Sequence, residues 1–406
     1  MKKIFLTVIA LLTVASMQVF GMYGATSRDW ITFLTDGNRF EAKLDQLGFT
    51  LGNDTIKGTF GFHEDRGMWG AMLKPTNGTP TGSTVAANDF FYNFVPTISM
   101  GLGYTSSLIS VGVGYNATIG PVWNRYNGKT ESKKVEAVVH TPVLVLNALD
   151  NAFRMAIPIQ VVNLTEKFDG YGKGSVTAVS FDAQFRYYTG IEALTQVRLY
   201  LKYGTYGMNF TPDQGDKVKE KFAESFGFDL RFYFGSMVEE VALQPIVRLA
   251  YNGALGKQHN KTAVTALSAL DDSAGVWGTA YNNTVNSATA PLSSYSTGTA
   301  WEQSAWDLLL MTGLGLTANS DIVSLYLEPQ LGLKVVQSGS ALEKIKEAYG
   351  LGYNVYAEIY ITPIKNLEWY FEAEIGNALK NTSASTVSDG FQFNGTTGVT
   401  WYLPQL

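Results

Sequence analysis

The sequence predicts an all-β fold: a transmembrane antiparallel up-and-down β-barrel of about 14 strands, with 16 as the alternative. Three observations predict it. The chain opens on an apolar segment with the form of a signal peptide, several later windows alternate apolar and polar residues, and the connections between windows are by turns short and long.

The opening segment sets the compartment. Lys2 and Lys3 precede an apolar run from Ile4 to Ala15, which relaxes into Ser16-Met17-Gln18-Val19-Phe20-Gly21. Small or compact residues at 19 and 21 predict cleavage after Gly21, so residues 1–21 are read as a cleaved signal peptide. The run falls short of the roughly 20 residues that a spanning helix needs. There is no cysteine, which excludes a lipoprotein signal, disulfides and thiolate metal sites. Cleavage removes Lys2 and Lys3 from the 30 basic residues, leaving 28 against 35 acidic ones and a net charge of −7. That balance excludes a generally basic nucleic-acid binder. Charged residues make up 16% of the chain and aromatic ones 13%, yet no later segment is apolar for long enough to span a bilayer as a helix. Apolar surface spread thinly along many strands explains both facts.

The strands follow from period-two alternation, because successive side chains of a strand point to opposite faces. Val179, Phe181, Ala183, Phe185 and Tyr187 interleave with Ser180, Asp182, Gln184 and Arg186. Phe226, Phe228, Leu230, Phe232 and Phe234 interleave with Gly227, Asp229, Arg231 and Tyr233. The windows 323–335 and 367–375 behave in the same way, with Leu325, Leu327, Trp369 and Phe371 on one face and Tyr326, Glu328, Tyr370 and Glu372 on the other. A tilted membrane strand needs about 9–11 residues, whereas soluble strands cluster near five or six. Glycine-rich windows such as Met100-Gly101-Leu102-Gly103-Tyr104 and Val111-Gly112-Val113-Gly114-Tyr115 leave one face nearly bare, which suits a crowded lumen or a bend.

Further windows lie near 42–51, 56–63, 93–105, 107–118, 135–146, 153–163, 194–205, 239–251, 306–317, 351–361 and 390–402. Short turns near 106, 147–152, 189–193, 235–238, 318–321 and 362–365 alternate with long connections at 64–92, 119–134, 164–174, 206–223, 252–305, 336–350 and 377–389. Short periplasmic turns and long extracellular loops are the expected asymmetry of such barrels. Both termini on one side require an even strand number. Residues 56–402 supply 14 strands; the 42–51 window makes 16 only if residues 29–34 add another. Residues 22–50 are therefore read either as a first hairpin or as a segment partly inside or beneath the barrel. In the second case Ser27 caps a helix through Thr35, with Trp30, Phe33 and Leu34 on one face and Gly37 at its end. The barrel proper is assigned to residues 51–406.

Little in the chain suggests catalysis or a cofactor. His63, His140 and His259 fall in separate segments without metal-ligand spacing, so no metal and no enzyme activity is expected. His140, inside a predicted strand, is read as a lumen or interface side chain. Gly101-Leu102-Gly103 and Gly313-Leu314-Gly315 lie inside alternating strands and fail the strand-to-helix context of a phosphate loop. One constellation stands out. Arg154, Arg186, Arg198, Lys202, Arg231 and Arg248 occupy polar-face positions of the middle strands, and Glu328, Glu358, Glu368, Glu372 and Glu374 those of the later strands. In a closed barrel these become opposed basic and acidic walls. Either they set a transverse field across an aqueous path, or they pair and fill a closed interior; both readings stand.

Residues Met22-Tyr23-Gly24, Asp29 to Leu34, Gly37-Asn38-Arg39-Phe40, Asp45 to Phe49 and Leu51 to Phe62 carry a family likeness. The segment 22–62 resembles the variable surface proteins (Vsp family) of the outer membrane of intestinal spirochaetes. The resemblance implies an abundant surface-exposed outer-membrane antigen, one of several paralogues, assembled as a homo-oligomer or with those paralogues, and brings no catalytic residues. The expected partners are outer-membrane lipid, and a host surface or antibodies at the long loops. Three functions remain in view: a surface antigen with porin-like passive permeability, a non-conducting surface or adhesion protein, and an exported soluble β-protein. The ending Val399-Thr400-Trp401-Tyr402-Leu403-Pro404-Gln405-Leu406 places its aromatics short of the terminus, unlike many outer-membrane barrels.

Overall fold

Alternating strands can satisfy every backbone amide in a membrane only by pairing on both edges, and a closed sheet is the arrangement that does so. The computed structural model describes residue 23 and residues 29–43, 46–64, 96–127, 131–168, 172–212, 217–238, 241–255, 306–337, 346–377 and 391–404. They form one closed antiparallel sheet. Its strands are β1 (Arg39–Lys43), β2 (Gln46–Gly52), β3 (Ile56–Glu64), β4 (Pro96–Tyr104), β5 (Ile109–Asn127), β6 (Glu131–Ala148), β7 (Phe153–Phe168) and β8 (Gly172–Tyr188). They continue as β9 (Gln196–Pro212), β10 (Val218–Tyr233, resuming at Ser236–Val238), β11 (Val241–Ala254), β12 (Trp306–Asn319), β13 (Val323–Gln337), β14 (Ala348–Ile364), β15 (Leu367–Asn377) and β16 (Phe391–Tyr402). The two parts of β10 share one register against β11, Tyr233 opposite Ile246 and Ser236 opposite Leu243, so they are a single strand and the barrel has sixteen.

The even number is reached in a way the sequence did not suggest. Residues 29–34 are not a strand; Trp30–Thr32 form a single 3-10 turn, shorter than the helix anticipated over 27–35. The strand that completes the count is β1, which pairs β16 from Arg39 opposite Tyr402 to Lys43 opposite Gly398, and β2 on its other side. The segment thus contributes β1, which pairs β2, and a buried internal piece at Trp30–Leu34. Asn38 fastens the seam: its Nδ2 donates to Gly52 O at 2.9 Å and to Pro404 O at 2.8 Å, while Leu403 N donates to Asn38 O.

Side-chain chemistry is inverted relative to a soluble domain. Large apolar side chains are exposed in alternation along the outer face, Leu331 at 68% and Leu351 at 77%. Charged ones such as Arg186, Lys202, Asp229, Lys334 and Glu358 are buried inside. An apolar outer belt with a polar interior is the pattern of a transmembrane barrel. Short turns gather at one end, built by local polar groups. Asn53 Oδ1 accepts from the amides of Thr55 and Ile56, and Ser320 Oγ from that of Val323. Leu149, Asp150, Asn151 and Asn366 adopt positive φ at two of these turns.

At the other end three expected loops are corrected. Residues 119–134, 164–174 and 206–223 lie mostly in β5 through β10, which run on as paired hairpins. Charges such as Arg125, Lys133, Lys134 and Glu136 erase the alternation there. Beyond the bilayer neither face has to be apolar, and the ladder needs only backbone amides. The predicted signal peptide and most of 64–92 and 252–305 lie outside the described residues.

Candidate functional site

The lumen holds the chemistry, and its floor is the N-terminal segment. Trp30, Ile31, Phe33 and Leu34 pack with Tyr23 against Val143, Val145 and Ala156 of the barrel wall. Trp30 meets Tyr23 with ring centroids 5.1 Å apart and Phe33 edge-on at 5.6 Å. The bare face of β4 and β5 accounts for this packing. A Cβ on Gly101 would stand 2.8 Å from the Trp30 indole, and one on Gly112 3.1 Å from Leu34. The glycines are needed for that close approach. The run Val143-Leu144-Val145-Leu146, apolar on both faces, is the sequence trace of a strand covered on both sides.

Polar ties hold the ends of this plug. Tyr23 donates to Asp36 Oδ2 at 2.6 Å, as does Thr32 at 3.0 Å. Lys57 Nζ reaches Leu34 O at 3.0 Å and Asp36 O at 2.5 Å. Arg154 donates to Thr35 Oγ1 at 3.0 Å, and Arg186 pairs with Asp29 at 2.5 Å.

The residues assigned to a basic wall fall in a regular register, Lys202 excepted. Arg154 lies opposite Arg186, Arg186 opposite Arg198, Arg198 opposite Arg231 and Arg231 opposite Arg248. Five adjacent strands thus carry one arginine rung. Because the strands tilt, the rung climbs: Arg154 is the second residue of β7 and Arg248 the eighth of β11. Like charges facing each other across a ladder repel. Here Asp229 accepts from both Arg231 and Arg248, at 2.7 and 3.1 Å. Tyrosine rings lie under Arg154 (Tyr188, 4.8 Å), Arg198 (Tyr233, 4.4 Å) and Arg231 (Tyr200, 4.8 Å). Such stacking holds a guanidinium flat while its in-plane N–H groups donate to neighbours. Lys202 stands two lumen-facing rungs away, opposite Asp182.

The acidic wall is a chequer of glutamates and tyrosines. Tyr326, Glu358 and Glu372 form one row across β13, β14 and β15; Glu328, Tyr356 and Glu374 form the next. Tyr356 and Tyr360 donate to Glu358, Tyr326 and Gln330 to Glu328, Asn354 to Glu374 at 3.0 Å and Tyr402 to Glu368 at 3.1 Å. These carboxylates thus find partners on their own wall. Glu328, Glu368, Glu372 and Glu374 keep part of their surface open to the lumen. His140 belongs to neither wall; it faces outward, its Nδ1 2.5 Å from the Tyr115 hydroxyl.

Solved structures similar to the chain include the beta domain of the Bordetella autotransporter BrkA, at 11% identity over 71% of this chain and 98% of that one, with a TM-score of 0.32. The translocator domain of the autotransporter NalP from Neisseria meningitidis matches at 12% identity over 74% and 90%, with a TM-score of 0.32. A bacterial polysaccharide outer membrane secretin matches at 10% identity over 90% and 97%, with a TM-score of 0.38. Likeness at this level adds no weight to a fold already given by strand pairing. No curated protein matches the sequence. The profile of the Serpulina hyodysenteriae variable surface proteins, in contrast, matches residues 2–402. With a closed, lipid-facing barrel behind the segment 22–62 that first carried the likeness, the chain belongs to the Serpulina hyodysenteriae variable surface protein family.

Proposed function

We propose that this outer-membrane barrel passes small solutes passively through a water-filled lumen narrowed by its own N-terminal segment, performs no catalysis, and displays its long-connection end as a surface antigen. One observation carries the permeation reading. The glutamates of the acidic wall take hydroxyl and amide partners from that same wall and retain surface facing the lumen. Charges that merely filled a closed interior would be dry. Sixteen strands are also wide enough to leave an aqueous channel. The plug lies against β4 to β7, so the path runs along the tyrosine–glutamate wall on the far side.

Planar-bilayer recording of purified, refolded protein tests this. Stable conductance steps are expected, with ion preference shifting towards anions in Glu372→Lys and towards cations in Arg186→Glu. A silent bilayer sinks the reading. A second reading, a non-conducting display barrel, draws on the apolar plug, which packs inside the barrel against Val143, Val145 and Ala156; silence together with a heat-modifiable fold supports it.

A further inference from the structure

The outer face of β7 and β8 changes chemistry in a fixed order as the strands leave the apolar belt. Upwards along β8 it reads Phe181, Val179, Thr177, Ser175, Lys173; along β7 it reads Ile159, Val161, Asn163, Thr165, Lys167. The two series are in register at every step, from Phe181 opposite Ile159 to Lys173 opposite Lys167. Lys167 also lies opposite Lys134 of β6, so one outer rung carries a lysine on three adjacent strands. Two strands beyond β8, β10 places Lys219 and Lys221 on the same face, opposite Asn209 and Gly207, which in turn lie opposite Ser175 and Thr177. Glutamates keep largely to the other face. Glu166 shares a rung with the buried Gly174, and Glu220 alternates with Lys219 and Lys221. Among the described residues of these three outer rungs Glu136, opposite Thr165, is the one carboxylate. Lys173 and Lys219 are exposed, and neither forms an ion pair with a described residue. Like charges directly opposite one another across a ladder repel, and an anion lying against the rung removes that cost.

We propose that this lysine band is a docking surface for anionic lipid, gripping phosphate-bearing headgroups of the leaflet at the long-connection end against β6 to β10. The order apolar, hydroxyl or amide, ammonium is that of a bilayer crossed from its core outward, which favours lipid over a polymer in solution. The heights agree. Lys173 stands roughly 35 Å above Tyr187 along the barrel axis, at about 3.3 Å per residue and a tilt of about 40°. The apolar band of such barrels is about 25 Å tall, and headgroups add about 5–8 Å beyond it. The flexible stem of an exposed lysine covers the small remainder by bending back towards the headgroups. Nothing in this inference depends on an open lumen.

Native mass spectrometry of the refolded full chain, titrated in detergent with phosphatidylglycerol or phosphatidylcholine, tests the surface. Phosphatidylglycerol is expected to be retained several-fold more strongly, with a preference that fades as salt rises. Replacing Lys134, Lys167 and Lys173 together by Gln weakens phosphatidylglycerol binding at least about fivefold and leaves phosphatidylcholine unchanged. The single change Lys134→Gln weakens it in part. Lys133→Gln removes the same charge one residue away but on the lumenal face, and has no effect. Unboiled gel mobility verifies that each variant is folded. Equal retention of the two lipids by the native chain overturns the proposal. So does a loss in Lys133→Gln as large as that in Lys134→Gln, which would reduce the preference to net charge. Binding of dextran sulfate through the same lysines, with the two lipids retained alike, would assign the surface to a polymer in solution and refute the lipid site.

Discussion

Docking of the plug on glycines makes a quantitative prediction. A Cβ at Gly101 would lie 2.8 and 2.9 Å from two indole carbons of Trp30 and 3.1 Å from Thr59 Cγ2. Carbon pairs rest at about 3.5–4.0 Å, so Gly101→Val drives the ring from its seat. Overpacking of this kind costs about 1–3 kcal/mol. Trp30 is 5% exposed within a cluster of three aromatic rings, and Trp30→Ala costs about 3–5 kcal/mol. Applied together the two changes are not independent, because the valine methyls enter the space that the indole leaves. The double variant therefore loses about as much as Trp30→Ala alone, a coupling of about 1–3 kcal/mol. Urea unfolding of the refolded barrel in lipid vesicles measures it. Following both gel mobility and tryptophan emission reads a plug that leaves before the wall as its own step. Additivity within about 0.5 kcal/mol would refute contact between the plug and this glycine.

Three further predictions test other parts of the fold. Val113→Arg puts a charge on the outer face at the fifth residue of β5 and costs about 2–4 kcal/mol in vesicles, while Thr396→Arg, on the lumenal face opposite Glu372, stays within about 1 kcal/mol. Equal losses would mean the faces are misassigned. Asn38→Ala deletes the donor that bridges Gly52 and Pro404 and lowers stability by about 1–3 kcal/mol, read as a smaller folded fraction on unboiled gels. Tyr356→Phe removes a hydroxyl between Glu358 and Glu372, which sit directly opposite one another; a loss of about 1–3 kcal/mol is expected, and none at all would exclude the tyrosines as partners of the carboxylates.

Much of this molecule was legible in its alternation. Windows such as 179–187 and 323–335 lie inside β8 and β13, and the short turns near 106, 189–193 and 318–321 fall where the structure turns. Parity pointed to residues 22–50 as the open question. The answer there was not legible, because Arg39-Phe40-Glu41-Ala42-Lys43 is too short to display a period. It is a strand only because β16 and β2 offer it two ladders. The longer hairpins of β5 to β10 escaped for another reason, since charges such as Arg125 and Lys133 interrupt the alternation there. Both sets of charged residues were visible as residue types on polar faces. The arginine rung was not, because register depends on turn lengths and bulges that spacing within one strand cannot report. The glycines of β4 and β5 did signal crowding, but nothing identified Trp30 and Leu34 as the occupants until the topology brought them together.

The seam has a consequence for how the molecule is made. Asn38 and Pro404 are 366 residues apart, and joining ends at that separation costs about 5 kcal/mol of chain entropy before any return. β1 contributes five pairs to β16, so the closing contact is short as well as distant. Closure therefore rests on one of the shortest ladders in the sheet. Until it occurs the sheet is an open ribbon whose first and last strands each have one unpaired edge, the configuration most exposed to pairing with a neighbouring chain. A catalyst of assembly has most to contribute at this join, by holding β16 in register until β1 arrives, and a chain lacking its final strand would remain an edge in search of a partner.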